Sequence, residues 1–230
     1  MIKINNLTKR FSNDIIIDAL NLEIGDGEIT ALVGKNGAGK TTLIRLISGL
    51  IKSNSGEIVL NSDISVGVLL GGDIELYGDL SGLEIIHFFG NLNNIPKDLI
   101  NKKIDELDKI LKFKGFIHKK SKTFSRGMKQ KIGLVLSIIH DPDIILLDEP
   151  STGLDIESCN DIITFIKYLK SKNKTILIAT HNIFEISDLS DSIAFLSGGK
   201  IFKKVTTNIF FKNCSNDEKS RLLIDSMREV

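Results

Sequence analysis

The apolar positions of the chain change period several times. Leu20, Leu22 and Ile24 alternate with polar neighbours, a period of two that predicts a half-buried strand. The pattern also predicts short strands over Ile2–Leu7, Ile15–Ile17 and Glu28–Val33. A helix is expected from Lys40 to Ser48, stopped by Gly49, and strand pattern returns at Glu57–Leu60 and Ser65–Leu70. Ser81 and Glu84 stand at capping-box spacing ahead of an apolar run, which predicts a helix start. Lys97–Phe113 predicts a second helix, and Leu134, Leu136, Ile138 and Ile139 belong to a third that begins near Ser125. Ile144–Leu147 is wholly apolar, the mark of a strand buried on both faces in a parallel sheet. Cys159, Ile162, Ile163, Ile166 and Leu169 recur at helical spacing, and Thr175–Ala179 returns to strand. Ser192–Leu196 and Lys200–Lys204 flank Ser197-Gly198-Gly199, a hairpin signal. The tail from Lys212 is polar and predicts nothing.

Strands alternating with helices imply an α/β fold, a mostly parallel sheet with helices on its faces. The helices expected over 80–136 read as a lobe inserted into a sheet-based core of 1–79 and 137–230, all within one domain, 1–230. With 230 residues, 42% of them hydrophobic, the chain can bury a sizeable core. Its net charge of +1 gives no overall pull towards nucleic acid, and no nucleic-acid partner is expected. Two cysteines, Cys159 and Cys214, argue against a disulfide framework and fit a reducing, cytoplasmic compartment. Met1–Arg10 lacks the apolar stretch of a secretory signal, and no run of about 18 apolar residues would cross a bilayer. Any membrane anchor is therefore expected to come from a partner.

The strand ending at Val33 runs into Gly34-Lys35-Asn36-Gly37-Ala38-Gly39-Lys40-Thr41, which fits G-x-x-x-x-G-K-[ST] between a strand and a helix. Glycines let the backbone curl so that several N–H groups aim at phosphate oxygens, and the next helix adds the positive end of its dipole. Lys40 brings a full charge to the β and γ phosphates, and Thr41, followed by Thr42, brings a hydroxyl to Mg²⁺. Such a loop alone fits kinases, GTPases, helicases and transport ATPases alike. The strand Ile144–Leu147 delivers Asp148-Glu149 at its C-terminal end, where α/β sheets bind ligands. Asp148 suits Mg²⁺, and Glu149 suits a general base for the attacking water.

With these residues in place, the sequence over about Ile2 to Lys204 resembles the nucleotide-binding subunit of ATP-binding-cassette (ABC) transporters. Phe124-Ser125-Arg126-Gly127-Met128-Lys129-Gln130-Lys131 is similar to the family signature. Asp148-Glu149-Pro150-Ser151-Thr152-Gly153-Leu154-Asp155 follows at the family's distance. His181 matches the switch histidine, and Phe11 falls where the family stacks an aromatic on adenine. The resemblance implies a P-loop NTPase with an N-terminal antiparallel β subdomain and an inserted helical one. It implies ATP and Mg²⁺ as ligands, with Gly34 to Thr42 and Phe11 holding ATP. It also implies that Ser125, Arg126 and Gly127 cover the γ-phosphate bound by an opposite subunit, in a homodimer or a paired cassette. Hydrolysis by Glu149, helped by His181, would then drive export through a separate transmembrane permease, on the inner face of the cell membrane. Leu69-Leu70-Gly71-Gly72, Leu76-Tyr77 and the Phe-Ser-Arg-Gly-Met run point to the branch serving exporters of drugs, peptides, antibiotics or sodium.

The sequence also departs from the family. Arg126 and Met128 stand where the signature has a glycine and the glutamine. Near Gly71-Gly72 no glutamine occurs, although most relatives place one there to reach the magnesium ion; Asp73 or Glu75 is the candidate substitute. Lys119, Lys120, Lys122, Arg126, Lys129 and Lys131 form a basic cluster, expected to be a solvated face. The competing readings are a soluble, non-transport ATPase of the same kind, such as one for cluster assembly, and a nucleotide-binding module without turnover.

Overall fold

The computed structural model describes residues 1–61, 64–72, 74–212 and 214–228. Strands β1 (Ile2–Phe11), β2 (Asp14–Ile24) and β4 (Ser55–Leu60) form an antiparallel sheet in the order β2-β1-β4. The larger sheet takes β3 (Ile29–Val33), β5 (Val66–Leu69), β6 (Ile144–Asp148), β7 (Thr175–Ala179), β8 (Ser192–Ser197) and β9 (Lys200–Thr206), in the order β5-β6-β7-β3-β8-β9. Its pairs are parallel except the β8–β9 hairpin. That hairpin turns through Gly198 and Gly199, both at positive φ (53° and 76°), the backbone a tight reversal between twisted strands requires.

Side chains alternate across the central strands. Ile145, Leu147, Ile176 and Ile178 face a cluster shared with α4 (Arg126–Ile138) and α5 (Ile156–Ser171). Ile144, Leu146, Leu177 and Ala179 face the other side, against α1 (Lys40–Ile47) and the buried row Leu20, Leu22 and Ile24 of the antiparallel sheet. The fold is therefore an α/β P-loop NTPase architecture, with helices on both faces of a mostly parallel sheet and the antiparallel sheet packed on one of them.

Between β5 and β6 run α2 (Gly82–Leu92), α3 (Lys97–Leu111) and α4. Ser81 caps α2 in a complete capping box, its backbone N–H donating to Glu84 Oε2 at 2.7 Å while Glu84 N–H donates to its Oγ at 3.2 Å. Ile86, Ile100, Ile104, Leu107, Phe113 and Phe124 join these helices to the cluster on the sheet, so one core runs through both. The chain ends in α6 (Thr207–Phe210) and α7 (Asn216–Arg228), where the sequence pattern predicts nothing. Leu223 of α7 and Phe211 pack against Ile186, Ile193 and Phe195, so this helix is fixed by tertiary contact.

Two further expectations are corrected. The strands expected at Ile15–Ile17 and Leu20–Ile24 are one strand, kinked where Ala19 takes a positive φ of 44° and the pairing with β1 shifts register. Within the basic cluster, Lys131 is not solvated. It lies largely buried and pairs at 2.7 Å with the buried Asp161, which Lys112 also reaches at 2.9 Å. Lys122 pairs at the surface with Asp79.

Candidate nucleotide site

The C-terminal ends of β3, β6 and β7 lie side by side, and each releases a loop towards the same cleft. In the loop after β3, Gly34 and Gly39 stand where a side chain has no room. A Cβ on Gly34 would sit 2.3 Å from the Leu196 carbonyl, and one on Gly39 2.9 Å from Ile17 Cδ1. Gly37 and Gly39 both take positive φ, 83° and 105°. Gly39 immediately precedes α1, so the first N–H groups of that helix open into the cleft. Lys40 is only 8% exposed, and its Nζ donates to the carbonyls of Gly34 (2.7 Å) and Lys35 (3.3 Å). Burial pulls the Lys40 ammonium below its ordinary value, and the charges of Glu149 and Asp148 oppose that pull. A phosphate brought beside it would further favour the charged form.

From β6, Asp148 is 2% exposed and accepts from the Thr41 hydroxyl at 2.6 Å. Carboxylate and hydroxyl oxygens thus converge at the mouth of the phosphate loop. Glu149 follows with a positive φ of 49°, a left-handed conformation that costs a non-glycine residue free energy. Its N–H donates to the Ala179 carbonyl at 2.7 Å, and its Oε2 accepts from Thr152 Oγ1 at 2.9 Å. His181 Nε2 lies 2.8 Å from Glu149 Oε1, an ion-pair distance, so both carboxylate oxygens are engaged at the cleft wall. A carboxylate so placed is chemically suited to accept a proton from water.

These groups line a cleft of about 550 Å³. Of the residues singled out from sequence, Phe11, Asn36, Gly37, Gly39, Lys40, Thr41, Thr42, Arg126, Asp148, Glu149 and His181 meet there. Gly34, Lys35 and Ala38 shape the loop from behind. Phe11 is half exposed at the end of β1, with Lys9 Nζ 4.9 Å from its ring centre. Ser125 and Gly127 do not line this cleft. Ser125 caps α4 by accepting from the Met128 N–H, and Gly127 lets that helix approach α5, where a Cβ would come within 3.1 Å of Ser158 Oγ. Arg126 is exposed, and its guanidinium lies against Gly153.

Sequence reasoning missed Ile16, Gln130 and Thr152. Gln130 is buried and donates to the Pro150 carbonyl at 2.7 Å, bracing the segment behind Glu149. Its place inside the signature was the available signal. Gly71 is explained by proximity: a Cβ there would lie 3.0 Å from the Asp148 carbonyl oxygen and 3.3 Å from Oδ2. Of the candidate substitutes for the missing glutamine, Asp73 lies outside the described residues. Glu75 is exposed and lines an adjoining groove with Arg126, Lys129 and Gln130.

Fold and cleft together define a P-loop nucleoside triphosphatase. The family model for ABC transporters matches residues 17–152. An uncharacterized ABC transporter ATP-binding protein of Methanocaldococcus jannaschii is 38% identical over 199 residues, 86% of this chain and 75% of that protein. The ABC transporter ATP-binding protein NatA of Bacillus subtilis is 32% identical over 99% of this chain and 98% of its own. The bacitracin transport ATP-binding protein BcrA of Bacillus licheniformis is 33% identical, over 89% and 69%. A solved ATP-binding subunit of an ABC transporter superimposes with a TM-score of 0.86 at 23% identity, over 97% of this chain and 99% of its own. A dimeric cassette in a post-hydrolysis state, bound to ADP and Pi, gives 0.79 at 24%, over 90% and 99%. At these identities the two structures speak for the fold. The chain belongs to the ABC transporter family, as an ATP-binding subunit carrying that family's ATPase domain.

Proposed function

We propose that this subunit hydrolyses ATP at the cleft between the phosphate loop and Glu149 to drive export through a separate membrane-spanning permease. The observation that carries the hydrolytic part is the convergence of Lys40, the Thr41–Asp148 pair and the Glu149–His181 pair in one cleft. Asn36 to Thr42 hold the phosphates, and Phe11 offers a ring to the base. Glu149 accepts the proton of the attacking water, and His181 orients the water and the γ-phosphate.

Among the described residues no cluster of three or more His, Cys, Asp or Glu forms a metal cage. Two protein oxygens suit Mg²⁺, which keeps several waters and takes substrate phosphates as ligands. Thr41 and Asp148 are the residues that would hold it, and it would neutralise charge on the β and γ oxygens.

No described helix is long and apolar enough to cross a membrane. The relatives named for bacitracin transport and as NatA support a permease on a separate chain, with this subunit peripheral to the cytoplasmic face. An exposed aromatic ridge fits that contact. Tyr77 and Phe88 meet edge to face at 5.8 Å beside a groove of about 510 Å³ lined by β5, the loop after it, and residues of α1, α2 and α4. In the paired state, Ser125, Arg126 and Gly127 of one cassette cover the γ-phosphate of the other. We take 1–230 as one domain, with 80–136 a helical subdomain inserted into the α/β core formed by 1–79 and 137–230. The hydrophobic cluster that runs through both supports a single domain.

Glu149→Gln with ATP and Mg²⁺ tests the reading. Turnover falls roughly 10²–10⁴-fold, binding stays, and mass by light scattering doubles. Parental turnover would remove Glu149 as the base. Membranes should yield a stoichiometric polytopic protein with the tagged subunit. Recovery with soluble partners alone would move the function to a non-transport ATPase.

A further inference from the structure

One buried acid is left without a role. Glu185 is 0% exposed, its carboxyl closed off from solvent. It opens a π-helical turn, Glu185–Leu189, four residues after His181. Such turns are uncommon and concentrate at functional sites. The turn's other inward residues, Ile186 and Leu189, are apolar and buried, so packing alone would favour an apolar residue at 185 as well.

The surroundings supply the reason. The hydroxyls of Ser151 and Thr180 face the Glu185 carboxyl. Each hydroxyl oxygen is already engaged as an acceptor by Asn182: its Nδ2 donates to Ser151 Oγ at 3.2 Å, and its backbone N–H donates to Thr180 Oγ1 at 3.0 Å. Both hydroxyl protons are therefore free to be given to a third group, and the Glu185 carboxyl is the acceptor they face. Ser151 belongs to the segment that begins at Glu149, and its neighbour Thr152 bonds the Glu149 carboxylate. Thr180 precedes His181 directly. Burial pushes the Glu185 carboxyl up, the two hydroxyls oppose this, and the charge of Glu149 adds to it. Cys159 on α5 is the other titratable group whose charge it influences.

We propose that Glu185 is a positioning residue for hydrolysis: by accepting the protons of Ser151 and Thr180, it latches the Glu149 segment to the His181 segment at one fixed spacing. The proposal rests on Glu149 acting as the base, and Glu149→Gln run in parallel tests that premise separately.

The experiment compares Glu185→Met and Glu185→Gln in the full chain, measuring kcat, KM for ATP and melting temperature. Met matches the volume without the polar atoms. Its variant should melt at or above the parental temperature and lose roughly 10–100-fold in kcat, since small displacements of reacting groups have effects of that size. KM for ATP should stay within about 2-fold, because the phosphate loop is untouched. Gln retains an acceptor oxygen and should keep kcat within about 3-fold of the parent. The proposal is overturned if Glu185→Met retains parental kcat, or if it loses kcat together with thermal stability and ATP affinity. It is also overturned if Gln is as impaired as Met. Should Glu149→Gln hydrolyse ATP at the parental rate, the base assignment has failed instead.

Discussion

Replacing Glu149 by glycine should remove catalysis with little change in the stability of the fold. At φ 49° the residue pays for a left-handed backbone, about 1–3 kcal/mol for a non-glycine residue, and glycine removes that cost. Against this stand the bond from Thr152, worth about 1 kcal/mol, the partly exposed contact with His181, about 0–1 kcal/mol, and the entropy of an added glycine in the unfolded chain, about 0.5–1 kcal/mol. Lys40 also loses one of its two nearby carboxylates. The balance lies within roughly 2 kcal/mol of neutral on either side. For a chain of this size each kcal/mol moves the melting midpoint by about 2–4 °C. The assay is thermal unfolding followed by circular dichroism, beside steady-state ATP hydrolysis. We expect a midpoint within about 8 °C of the parent's, with turnover lower by roughly 10²–10⁴-fold. A midpoint more than about 8 °C below the parent's would refute the reasoning, since the loop would then be held by the Glu149 side chain rather than strained to present it.

Two other predictions follow from close contacts. Lys131→Ala breaks the buried pair with Asp161 and should lower the unfolding free energy in urea by about 3 kcal/mol, the low end for such pairs because Lys112 still reaches Asp161. Burial opposes ionisation of Asp161, but Lys131 and Lys112 hold its carboxyl below the usual range. Its contribution is therefore complete above about pH 4 and lost as pH falls through the lowered folded-state value, so parent and variant should converge in acid. Gly71→Ala would press a methyl group onto Asp148, and the Mg²⁺ concentration for half-maximal hydrolysis should rise about 10-fold. An unchanged Mg²⁺ dependence would show that Asp148 tolerates the shift.

Much of this site could be read before any coordinates. The phosphate loop, Asp148 and Glu149 are legible because their chemistry depends on contiguous residues between a strand and a helix. Ser81 and Glu84 are legible because a capping box is local. What escaped the sequence depends on burial and distant contact. Glu185 looks like any helix-surface acid until its carboxyl is found without solvent. Lys131 looks solvated until Asp161, thirty residues away, is brought beside it. Helix α7 is sparse in apolar residues, and Leu223 acquires meaning from Phe211 and Ile193. The break in β2 concealed one strand as two because Ala19 interrupts the alternation.

The strand order also governs how the chain can be made. β3 lies between β7 and β8, so the strand that launches the phosphate loop gains its first in-sheet neighbour only when about 140 further residues exist, roughly 7–30 s of synthesis at about 5–20 residues per second. During that interval its apolar edges are open, and non-local parallel pairing is intrinsically slow. A nascent chain stalled before Thr175 therefore exposes an incomplete sheet that ATP cannot rescue, because the ligand's stabilising effect begins only once the three strand ends stand together.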